Sequence, residues 1–171
     1  METTTENSSQ LLEKLDRFFK EIGIPMQYCA LEGFCFLPGI QIVKGELLVD
    51  PGQLKYPGDI LHEAGHIAVV PLAERHTLNE ISIGERPMRE AEEMMAIAWS
   101  YAACIYLHID PYIVFHNDGY QQGGSSIADN FSEGHYFGVP MLQWTGMARE
   151  KADPAEPGIQ PYPAMLKWVR E

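Results

Sequence analysis

Apolar positions along the chain recur at helical spacing, then at strand spacing, then at helical spacing again. Leu11, Leu12, Leu15, Phe18, Phe19 and Ile22 share one face of a 3.6-residue repeat. This predicts an amphipathic helix over about residues 9–22, with Ser8 or Ser9 as its cap. The polar residues 1–8 before it read as a disordered lead-in. From residue 34 to 49 the pattern turns to strand. Ile40-Gln41-Ile42-Val43 and Glu46-Leu47-Leu48-Val49 flank Lys44-Gly45, which predicts a β-hairpin with a two-residue turn, closed by Asp50-Pro51-Gly52. Asp59 then reads as the N-cap of a helix over about 60–70 that stops at Pro71. Residues 80–84 read as a short strand. Pro87 opens a long helix that runs to about Leu107 and stops before Asp110-Pro111.

Past Pro111 the periodicity fades. Residues 119–126 (GYQQGGSS) read as a flexible loop, 126–133 as a short helix and 136–147 as mixed apolar and turn-like. Residues 152–163 are Pro-rich and extended, and 164–170 form a last helical turn. No internal repeat or linker divides the chain. The expectation is one α+β domain over residues 1–171. It is mostly helical, has a β-hairpin or small sheet packed on the 60–70 helix, and ends in a Pro-rich extension over 150–171.

Composition narrows the function classes. Apolar content of 46% and charged content of 21% are those of a globular protein with a real core. The formal net charge of -12 argues against nucleic acid and against anionic membranes, which require clustered Lys and Arg. No run approaches the roughly 18 apolar residues of a membrane span. Three cysteines without C-x-x-C spacing indicate neither a disulfide framework nor a thiolate metal clip. With no signal peptide at the start, the expected setting is cytoplasmic.

The chemistry sits in Leu61-His62-Glu63-Ala64-Gly65-His66-Ile67, an H-E-x-x-H pattern inside a predicted helix. Residues i and i+4 share a helical face, so His62 and His66 can address one metal ion. Glu63 lies about 100° further round, near enough to take a proton from water at that ion. Imidazole pairs suit Zn²⁺, and a catalytic zinc leaves one position open for water. An incidental His and Glu on a surface helix would explain the pattern too, but the apolar flanks Ile60, Leu61, Ile67 and Val69 mark a buried helix. The expected function is a zinc-dependent hydrolase with Glu63 as general base. The alternative is a metal-binding or regulatory module without turnover. A third protein ligand is required. Leu72 stands where the elongated H-E-x-x-H pattern would have its third His, so the ligand comes from another element. Glu90, Glu92 and Glu93 at the start of the long helix are the candidates, and periodicity does not choose among them. Acids there also suit the helix dipole.

A hairpin running into the H-E-x-x-H helix, followed by a helix that begins with acids and continues with small and aromatic residues, resembles the ImmA/IrrE-type metallopeptidases, a gluzincin-like family of small zincin domains. Glu93-Met94-Met95-Ala96-Ile97-Ala98-Trp99-Ser100 is similar to that family's E-x-x-A-N-x-F-A at Glu93, Ala96 and Trp99, and departs from it at Ile97 and Ser100. The resemblance covers about residues 34–107. It implies a zincin-like fold, Glu93 as third ligand beside His62 and His66, and intracellular cleavage of a protein or peptide. For the group that stabilises the oxyanion, His108, His116, His135, Tyr120 and Tyr136 are the candidates, each also readable as an ordinary loop or core residue, and His135-Tyr136 comes first among them. His76 reads as a capping or solvent-facing residue.

Overall fold

The computed structural model describes residues 7–171. The lead-in expected over 1–8 therefore lies mostly outside the described residues, while Asn7 and Ser8 already belong to the first helix. Asn7, not Ser8 or Ser9, caps α1 (Ser8–Ile22) through a reciprocal pair with Gln10. The apolar face of α1 is buried through Leu11, Leu15, Phe18 and Phe19.

The sheet has three strands in the order β1-β3-β2, with β1 at Met26–Tyr28, β2 at Ile40–Val43 and β3 at Glu46–Val49. β2 and β3 form the expected hairpin, Ile40 opposite Val49 and Ile42 opposite Leu47. Lys44 and Gly45 both have positive φ, 52° and 78°, as a type I′ turn demands. β1 adds in parallel to β3 and carried no alternation strong enough to announce itself. The fold is α+β.

α2 (Asp59–Val69) lies between the sheet and α4 (Arg89–Leu107). Nine of its eleven residues are buried, so little but its cleft-facing edge is free for chemistry. Gly65 permits the close approach: a Cβ there would stand 3.0 Å from the Ala96 carbonyl oxygen of α4. A 3₁₀ turn over Leu72–Thr77 and the short α3 (Glu80–Glu85) connect α2 to α4. The strand expected at 80–84 is thus a helix. Ile81 and Ile83 alternate like a strand, but the Asn79 side chain accepts from the Ile81 and Ser82 N–H groups and starts a helical turn instead. α4 begins at Arg89 rather than at Pro87, which sits in the preceding turn.

The C-terminal third holds α5 (Pro111–Val114), α6 (Gly124–Ser132) and α7 (Val139–Trp144). α6 matches the expected short helix with an earlier start. α5 and α7 are too short for periodicity to reveal. Residues 152–163 are free of helix and strand as expected, but 164–170 form no helical turn. Met165 instead bridges to Ala148, and the segment is tied to the two central helices. Tyr162 donates to the Ala98 carbonyl at 2.7 Å, the Trp99 indole to the Trp168 carbonyl at 2.7 Å, and the Arg170 N–H to the Ala68 carbonyl at 2.9 Å. One continuous core runs from Leu11 to Tyr162, with Trp99 and Phe18 its largest fully buried side chains. Among the described residues no helix is long and apolar enough to cross a membrane.

Candidate metal centre

The i, i+4 spacing on α2 brings the two imidazoles of the motif together, with His62 Nε2 and His66 Nε2 3.1 Å apart. Glu93 reaches them from α4: its carboxylate oxygens lie 3.5 Å from His62 Nε2 and 3.1 Å from His66 Nε2. Three donor groups from two helices thus converge. Ligands about 2.0–2.1 Å from a tetrahedral ion stand about 3.3 Å from one another, so these separations are of the right size for a shared metal.

The ligand atoms of His62, Glu63 and His66 lie within 4.8 Å of one another, and this group could hold a metal ion. Two carboxylates therefore compete for the imidazole pair. Glu93 is the closer, with an oxygen on each ring, whereas Glu63 stands in the wider envelope beside it. The other two acids of α4 are engaged elsewhere. Glu92 is buried in a two-pronged pair with Arg86 at 2.6 and 2.9 Å, and Arg86 also reaches Glu74 at 2.8 Å. Glu90 is exposed and pairs with Arg89 at 3.0 Å.

Electrostatics separate the roles. Burial, joined by the charge of His66, holds the His62 imidazole down to about 3, so the ring is neutral and free to donate a lone pair. Burial opposes ionisation of Glu93, but the His66 hydrogen bond and the charges of both imidazoles override it and bring the carboxyl to about 2. His66 is pulled down by burial and pushed up by Glu93 and Glu63, with a net rise. Burial lifts Glu63 to about 7, with Glu93, Asp59 and Glu80 adding to the rise against His66. A carboxyl near neutrality is suited to moving a proton in both directions.

The third wall comes from the segment after α5. The Tyr120 ring meets the His62 ring edge-on at 5.5 Å. Its buried hydroxyl has no hydrogen-bond partner among the described residues, and burial followed by the Glu93, Asp59 and Glu63 carboxylates raises its pKa. His116 anchors this segment: its Nε2 lies 2.6 Å from Asp59 at the start of α2, and its ring stacks on Tyr56 at 4.1 Å. Asp59 is therefore not the N-cap. That position belongs to Gly58, whose missing Cβ would stand 2.1 Å from the Ile113 carbonyl oxygen.

Of the five residues expected near the oxyanion, Tyr120 alone packs on a motif histidine, with His116 behind it. His135 is exposed beside Glu133, and Tyr136 joins an aromatic cluster with Tyr101, Phe131 and Tyr162. The first choice, His135-Tyr136, thus has its contacts with Glu133 and with that aromatic cluster. His108 ends α4 in the left-handed conformation, and His76 is solvent-facing as expected. Sequence reasoning missed the Asp59–His116 pair. No local spacing links the two residues, which lie 57 positions apart in the chain. No family model matches this chain, nor does any curated protein or solved structure, so the reading of the site rests on its own residues and geometry.

Proposed function

We propose that the protein is a zinc-dependent peptidase of the ImmA/IrrE type, with His62, His66 and Glu93 as metal ligands and Glu63 as general base. The observation that carries the reading is the convergence of two imidazoles and one carboxylate at 3.1–3.5 Å, with a second carboxylate near pKa 7 one residue along the same helix. A bound zinc would supply polarisation of the amide carbonyl and acidification of water. Glu63 takes a proton from the attacking water as its oxygen bonds to the carbonyl carbon. It then passes that proton to the amide nitrogen as the C–N bond breaks, leaving a carboxylic acid and an amine. Tyr120, whose hydroxyl has no other partner among the described residues, donates to the oxygen on which negative charge develops. His116 and Asp59 hold the segment that carries it.

A module that binds metal without turnover would have no use for an acid between the two histidines, least of all a half-buried one raised towards neutrality. Glu63→Gln is the test. It keeps one zinc per chain and lowers peptide hydrolysis by about 10³-fold. Hydrolysis that survives the substitution would remove Glu63 from the mechanism.

A further inference from the structure

The cleft beside the metal centre has two lobes. One, of about 420 Å³, is lined by Ile83, Met94, Arg89, Glu90 and Glu92. The other, of about 240 Å³, is lined by Phe36, Leu37, Ile40, Glu63 and Glu80. His66, Glu93, Ile83 and Gly84 line both lobes, so two of the three donors, His66 and Glu93, stand at the junction. A chain lying across the junction would place the groups on either side of its scissile bond in different lobes.

The lobes differ in what their carboxylates are doing. In the larger lobe, Glu92 is neutralised by Arg86 and Glu90 by Arg89. The surface left to a ligand there is that of Ile83 and Met94. In the smaller lobe Glu63 belongs to the proton transfer, and Glu80 has no cationic partner among the described residues. Asn79 caps the helix that Glu80 begins, and the Phe36 backbone N–H donates to the Glu80 carboxylate. Glu80 thus lines a pocket whose apolar walls are Phe36, Leu37, Ile40 and Ile83, with Glu63, His66 and Glu93 at the end towards the donors. An apolar side chain entering this lobe would strip water from the carboxylate without compensation. A lysine or arginine would lay its methylene stem on Leu37 and Ile40 and bring its charge to Glu80, with the exposed Phe36 ring available to a guanidinium.

We propose that the preferred substrate is a polypeptide carrying a lysine or arginine within two residues of the scissile bond, bound at Glu80, and an apolar side chain across the bond, bound at Ile83 and Met94. This selectivity rests on the peptidase reading above and deepens it. The overall charge of -12 acts in the same direction, drawing basic segments to the protein.

The test is cleavage-site profiling by mass spectrometry. The zinc-loaded protein is incubated with a mixed peptide library, beside Glu80→Gln and Glu80→Lys variants shown by melting to be folded and by metal analysis to hold zinc. The wild type should cut at sites enriched about tenfold in Lys or Arg on one side and in apolar residues on the other. Glu80→Gln should lose the basic preference and keep the apolar one, and Glu80→Lys should turn the preference to Asp and Glu. Cleavage without a basic preference, or with one that survives in both variants, overturns the assignment of Glu80 and leaves the peptidase reading standing. No cleavage of any peptide by the zinc-loaded wild type overturns that reading and this selectivity with it.

Discussion

On one side of the candidate metal centre, His62, His66 and Glu93 project from two long helices whose backbones nearly touch at Gly65 and Ala96. On the other, Tyr120 projects from an irregular segment tied to the start of α2 by a part-buried His116–Asp59 pair and a ring stack on Tyr56. The helical wall is held by a continuous core in which Ile60, Leu61, Ile67, Ala98 and Trp99 are fully or almost fully buried, so the ligand positions follow from many contacts at once. The irregular wall depends on a few polar contacts, each worth about 1–3 kcal/mol when buried. The metal should therefore be robust to damage on the irregular wall, while the chemistry should not be.

The largest effect expected on the helical wall is loss of metal. Glu93→Gln should weaken zinc binding by about 100-fold or more in a competition titration with a chelator. Glu92→Gln, one residue away, should leave zinc affinity near wild type. It should instead lower stability by about 1–3 kcal/mol, because Arg86 loses its two-pronged partner. The reverse pattern would move the ligand to Glu92.

The irregular wall should show the opposite split. Tyr120→Phe should retain zinc and lower kcat by about tenfold to 100-fold with little change in KM. His116→Ala should do the same by loosening the segment. Loss of zinc in either variant would show that the two walls are not separable.

A smaller effect reports on Glu63 alone. Its carboxyl is raised from 4.5 to about 7 in the fold, so the folded chain keeps a proton that the unfolded chain has lost between those values. Stability of the metal-free protein therefore falls as pH rises from 4.5 to 7, and the full cost is present above 7. Glu63→Gln should raise the stability of the metal-free protein by about 1–3 kcal/mol at pH 8, with the gain shrinking towards zero near pH 4.5. An equal gain at both values would assign the effect to packing.

The smallest effect probes the seam between the helices. Gly65→Ala improves helix propensity by up to about 1 kcal/mol but presses on the Ala96 carbonyl, so net stability should change little while zinc affinity drops several-fold. Unchanged affinity would show that α2 can shift without disturbing the donors.

The same division explains what was legible in the sequence. α1, the hairpin, α2 and α4 obey a single period over many residues, and the histidine pair follows from i, i+4 geometry alone. Glu93 required more, because Glu92 sits on the same helix and its pairing with Arg86 depends on a turn that periodicity does not describe. The misreadings share that cause. Residues 80–84 alternate like a strand, yet a local side-chain cap from Asn79 decides in favour of a helix. Asp59 stands where a cap belongs, yet a residue 57 positions away claims its carboxylate. His135-Tyr136 stood first in the sequence reading, whereas Tyr120 meets His62 through contacts between segments far apart in the chain.

The most direct test of the central assignment is the metal content of the purified protein by mass spectrometry, beside a His62→Ala/His66→Ala double variant. The account predicts about one zinc per chain in the wild type and none in the variant. A wild-type protein that holds no metal even after zinc is supplied, or a variant that holds as much as the wild type, would contradict it.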